Sequence, residues 1–191
     1  MKDMDSLNFT AEKALPFVIQ RTMNMDQFAT WTTINLRKNL TSWLHFNLAS
    51  LYWRIRGNAT KSLECSKAAV YHAPRRYKDI PLQSIGTVFH RSHRPEDAIV
   101  VFQKAVEYDS MYTTNHFLLA NAYAAVGEFD RALNHYEESI KLAPDLDIAI
   151  QHKHEIKMHH LNFSSAGNRT RDLCVADVNQ LIICYIFILR F

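Results

Sequence analysis

The sequence predicts an all-α fold built as a helical solenoid, and three observations point there. The 191 residues include only four glycines and five prolines, too few helix breakers for a turn-rich sandwich or barrel. Laid on itself at a shift of 34, the chain matches Ile85-Gly86-x2-Phe89 to Leu119-Ala120-x2-Tyr123, and Ala98-x3-Phe102 to Ala132-x3-Tyr136. Gly57, Gly127 and every proline between 74 and 144 fall at the boundaries that this register implies. Hydrophobic residues at 48% and charged residues at 21% fit a globular chain rather than a disordered one, with enough length for a sizeable core.

Each element follows from the repeat. A third copy, shifted by 36, places Ala49-Ser50-x2-Trp53 before Ser62-x3-Ser66, its two extra residues lying near Arg75 to Lys78. Pro74, Ser110 and Pro144 close the three units. In each unit a small residue (Ser50, Gly86, Ala120) lets two helices approach, and an aromatic three residues later (Trp53, Phe89, Tyr123) shares its face. Gly57 and Gly127 mark the turns between paired helices, where a positive backbone angle is cheap only for glycine. Pro95 stands in the equivalent turn, Pro81 in a first helical turn, and Thr60 and Asp130 are candidate caps of second helices. The units therefore run over 43–76, 79–112 and 113–146 as three helix-turn-helix repeats. Residues 147–161, with Ile148, Ala149 and Ile156, form a capping helix for the third unit. Residues 1–42 are an amino-terminal segment with one helix, in which Phe28, Trp31 and Ile34 fall at helical spacing; 162–191 form a tail.

A period of 34 with the order apolar, small, aromatic, then Ala-x3-aromatic and a closing proline resembles the tetratricopeptide repeat. More particular strings resemble one family, the animal tetratricopeptide repeat protein 17 group, at its carboxy-terminal repeat array. They are Ala49-Ser50-Leu51-Tyr52-Trp53-Arg54-Ile55, Lys78-Asp79-Ile80, His90-Arg91, Asp97-Ala98-Ile99-Val100-Val101, Tyr123-Ala124 and Lys153-His154. The resemblance covers roughly 43–160 and implies a cytoplasmic, cytoskeleton-associated role connected to actin polymerisation and cilium assembly. Members of that family are much longer, so the chain reads as a fragment. The chain from Ser164 onward departs from the family, and Ser165 to Leu173 is similar to strings in gene models that read through a mobile element or intron; the tail is then disordered or an artefact.

The sequence lacks the motifs of most enzyme classes. Cys65, Cys174 and Cys184 form no CxxC pair and suggest a reducing compartment. Met1 to Phe9 lacks the apolar stretch of a secretory signal, and Leu181 to Leu189 falls well short of the ~20 residues that cross a bilayer. Four scattered glycines form no phosphate loop. Adjacent acids such as Glu137-Glu138 diverge on a helix and do not converge on a substrate. No catalytic residue, cofactor or metal ligand is assigned. His152, His154, His159 and His160 read as a solvated basic face; the alternative is a metal-binding or enzymatic protein that uses 152–160. A net charge of +3, with Arg75-Arg76-Tyr77-Lys78 and His90 to Arg94 in or near turns, is too small an excess to point to nucleic acid.

A protein partner remains. First helices of stacked hairpins line the concave face, which assigns a groove to Asn47, Arg54, Gln83, Thr87, His90, Arg91, Phe117 and Asn121. Phe117 is the apolar anchor, Asn121 an amide for backbone, and Arg91 a cation for a carboxylate. The fold's chaperone-tail binders grip a terminal carboxylate with Lys, Arg and Asn on first helices. The places that resemble that clamp hold Asn47, Leu51, Ser84, Thr114 and Leu118, so such a tail is not the expected ligand.

Overall fold

The computed structural model describes residues 7–12 and 23–165. Every regular element within them is helical: α1 Met25–Lys38, α2 Trp43–Ile55, α3 Ala59–His72, α4 Asp79–Arg91, α5 Pro95–Tyr108, α6 Thr113–Ala125, α7 Phe129–Leu142 and α8 Asp147–Ser165, with a 3-10 turn Arg75–Tyr77 before α4. Three hairpins, α2-α3, α4-α5 and α6-α7, stack in sequence. Their first helices have 13 residues each and their second helices 14.

The flanking helices keep the same register. α1 also has 14 residues and starts 34 residues before α3, as a second helix would. α8 starts 34 residues after α6, as a first helix would. It covers the third hairpin with Ile148, Ala149, His152 and Ile156, all buried.

Local chemistry sets the boundaries. Asn24 and Gln27 form a reciprocal capping box at α1. The cap of α3 is Asn58, whose side chain accepts from the Lys61 amide at 2.9 Å, rather than Thr60, which lies inside the helix. Asp130 likewise lies in the first turn of α7 instead of capping it; there its charge complements the helix dipole. Pro95 opens α5, where its missing donor is harmless. The hairpin turns place Gly57 and Gly127 at φ of 73° and 82°, and His93 takes the equivalent place in the middle hairpin at 57°.

Packing between paired helices repeats as a trade of volumes. A Cβ on Gly86 would run into the Phe102 ring. Ala120 and Tyr136 occupy the same two places in the third hairpin, both fully buried. In the first hairpin they are serines: Ser50 Oγ lies 2.6 Å from Ser66 Oγ and 2.8 Å from Ser62 Oγ. The hydroxyls satisfy one another where the other units use a methyl or a ring, which is why the first copy is the most divergent in sequence.

Successive first helices touch one another, α2 with α4 and α4 with α6, whereas second helices of neighbouring units make little direct contact. First helices therefore lie inside the curve of the stack. Among the described residues no helix is long and apolar enough to cross a membrane. Leu181 to Leu189, Cys174, Cys184 and the rest of the expected tail beyond Ser165 lie outside the described residues.

Candidate interaction face

All eight residues expected to line the groove sit on first helices, but six of them are buried. Asn47, Arg54, Gln83, Thr87, Phe117 and Asn121 have almost no exposed surface; His90 and Arg91 keep some. Helix direction alone overestimates how open this face is, because adjacent first helices meet there and their side chains pair. Ser84 Oγ donates to Asn47 Oδ1 at 3.1 Å, and Gln83 Nε2 donates to Asn115 Oδ1 at 2.7 Å. Thr87 Oγ1 donates to the Gln83 carbonyl of its own helix at 2.8 Å. Phe117, 1% exposed, has its ring centroid 5.4 Å from His152 and 6.0 Å from Tyr136. It anchors α8 and presents no free apolar surface. Asn121 Oδ1 accepts from the Tyr136 hydroxyl and lies 3.2 Å from His152 Nδ1, so its carbonyl oxygen is engaged within the protein.

The histidine segment also differs from a solvated face. His152 is buried against Phe117 and Tyr136, and burial lowers its pKa, while the His159 ring meets Phe129 at 5.4 Å. His154 is exposed; the side chain of His160 lies outside the described residues. Among the described residues no three His, Cys, Asp or Glu side chains group as a metal site would. Cys65 is a free thiol pushed up to about 11, chiefly by burial and next by the Glu64 charge, which suits a packing residue and not a nucleophile.

At the carboxy-terminal ends of α2 and α4 the face is engaged by a distant part of the chain. Arg54 Nε and Nη2 donate to Glu12 Oε1 and Oε2 at 2.6 and 2.7 Å, a bidentate pair with exposures of 1% and 0%. The Glu12 amide donates to the Arg54 carbonyl at 3.3 Å. Arg91 Nη2 donates to the carbonyl and hydroxyl oxygens of Thr10 at 3.4 and 3.3 Å, and its Nε stands 3.9 Å from Glu12 Oε1. Ala11 lies over the Gly57 turn. Leu7 and Phe9 pack on the cluster of Ala59, Leu63, Ile85 and Val88. Sequence reasoning placed Arg54 and Arg91 on this face but gave Glu12 no role; 42 residues separate it from Arg54, and no periodicity links them.

A family model for the tetratricopeptide repeat matches residues 114–146. Two curated relatives named tetratricopeptide repeat protein 17 align over 161 residues, 81% of this chain: the rat protein at 36% identity and the human protein at 35%. The chain belongs to the tetratricopeptide repeat protein 17 family. It spans only 13% of the rat member and 14% of the human one. The zebrafish member, 36% identical, aligns with 73% of the chain. Two crystal structures of MamA share the fold of this family member. One superposes with a TM-score of 0.61 at 17% identity, covering 90% of this chain and 95% of MamA; the other scores 0.56 at 14%, covering 82% and 93%.

Proposed function

We propose that the chain is a non-enzymatic protein-interaction scaffold whose inner face, on the first helices, takes a short linear segment of a partner protein. The observation that carries the reading is the non-helical segment 7–12, bonded through backbone and side chain to Arg54 and Arg91. A surface that satisfies the backbone groups of one segment has the chemistry to hold another. His90 and half-buried Leu51 keep exposed surface on the same face, over the buried Thr87 and Asn121. The family resemblance extends the proposal to a cytoplasmic, cytoskeleton-associated role in actin polymerisation and cilium assembly, with the repeats supplying the binding step.

The test uses the full chain with a photo-crosslinking residue at Leu51 on the inner face or at exposed Glu64 on α3, in extracts of ciliated animal cells. Adducts with defined polypeptides form from position 51 and are absent from position 64. Adducts from 64 alone would move the partner to the outer face and defeat the proposal.

A further inference from the structure

We infer that Arg54 and Arg91 form a carboxylate-reading site for a linear acidic segment, and that residues 7–12 occupy it in cis, so that a partner must displace them. The inference rests on the inner-face reading above and adds the ligand's chemistry and its regulation.

Three features argue for a built site. First, the polar contacts are those a peptide receptor makes: Arg54 gives a backbone acceptor and a forked donor, and Arg91 donates to a backbone carbonyl two residues upstream of the glutamate. A carboxylate between two guanidinium groups, removed from water, is a demanding arrangement that a neutral side chain would not satisfy. Second, the site does not follow the repeat. The places equivalent to Arg54 hold His90 and Ala124, and those equivalent to Arg91 hold Ile55 and Ala125. The two cations therefore meet at one point of the stack, the junction of the first and second hairpins. They also lie outside the places that resemble the chaperone-tail clamp, and the carboxylate they hold is an internal side chain. Third, Leu7 and Phe9 reach apolar side chains between α3 and α4, so the recognised pattern is apolar, any, apolar, Thr, Ala, Glu.

Segment 7–12 belongs to no helix and is tethered to the repeats, so it competes as an intramolecular ligand at an effective concentration on the order of millimolar. A partner with the same pattern binds once it exceeds that value or makes further contacts.

The probe is a fluorescein-labelled peptide with the sequence of residues 7–12, titrated by anisotropy into the full chain and into the full-length double variant Phe9→Ala with Glu12→Gln. The variant is expected to bind the peptide at least tenfold more tightly than the unaltered chain, and a peptide with Gln for Glu at least tenfold more weakly than the original. If the variant keeps its helical circular dichroism and melting temperature yet binds no more tightly, or binds both peptides alike, the inference fails. Should the variant not fold, hydrogen exchange on the unaltered chain decides. Millimolar unlabelled peptide is expected to raise exchange at the Glu12 amide at least threefold, and no change overturns the proposal. Peptide binding as expected without partner adducts at Leu51 would defeat the scaffold reading alone; adducts without peptide binding would defeat this site alone.

Discussion

Replacing Gly86 with alanine puts a methyl group where the Phe102 ring already stands. The new Cβ would lie 2.7 Å from Cδ1 and 2.8 Å from Cζ, and nearer still to Cε1, whereas carbon pairs rest at roughly 3.5 to 4.0 Å. The ring must retreat by about 1 Å, and Phe102 is 1% exposed, so every direction of retreat meets another side chain. Overpacking of this kind costs roughly 1 to 3 kcal/mol, and alanine recovers about 1 kcal/mol of helix propensity. The steric term is the larger. Gly86→Ala therefore destabilises by about 1 kcal/mol, read as a lower urea midpoint at unchanged slope. The cycle with Phe102→Leu isolates the cause: without the ring, the same alanine becomes neutral or stabilising by up to about 1 kcal/mol. A Gly86→Ala chain as stable as the original, or a destabilisation that persists unchanged in the Phe102→Leu background, would refute the volume trade.

Other perturbations follow from the same structure. His93 holds a left-handed backbone angle where the other hairpins have glycine; His93→Gly is expected to raise stability by about 0.5 to 1 kcal/mol in urea unfolding, the strain relief exceeding the added unfolded-state entropy. His90 is lowered to about 4, chiefly by burial and then by the Arg91 and His93 charges, so the unfolded chain takes up its proton first as pH falls. Its contribution is complete above the unfolded value of about 6.5 and lost between there and 4, by up to about 3 kcal/mol, and His90→Gln should flatten that slope in urea midpoints measured from pH 7.5 to 5. Cys65 should alkylate at pH 8 at least tenfold more slowly in the folded chain than in urea, as peptide mapping would show, because the thiolate is the reacting form and burial disfavours it.

The fold was largely legible because a repeat reports each structural demand several times. The small residue at Ser50, Gly86 and Ala120 and its partner 16 residues later, at Ser66, Phe102 and Tyr136, could be aligned before any helix was seen. The interaction face was legible only as a list of positions. Periodicity says which way a side chain leaves its helix, but how closely the next helix approaches depends on the superhelix, and that approach buried Phe117 and Asn121. The role of His152 was hidden for a similar reason. Its neighbours His154 and Glu155 are exposed, and the docking of α8 separates the imidazole that accompanies Tyr136 at Asn121 from that of His154, which faces water.

Glu12 marks where a pattern argument stops. Leu7-Asn8-Phe9-Thr10-Ala11-Glu12 alternates apolar and polar residues, which puts Glu12 on the polar side of an extended stretch, and a carboxylate there ordinarily stays in solvent. What singles it out is the other end of the contact: Arg54 stands at a place that carries alanine in the third unit, and a guanidinium buried there needs an anion. In a periodic fold the informative residues are those that break the period toward greater cost. Ser50, Ser62 and Ser66 break it and compensate among themselves, which makes them structural. Among the described residues Arg54 breaks it and is compensated by a segment outside the repeats, so the stability of the first hairpin and the occupancy of its inner face are coupled, and a segment that displaced Glu12 would leave Arg54 buried without an anion unless it brought a carboxylate of its own.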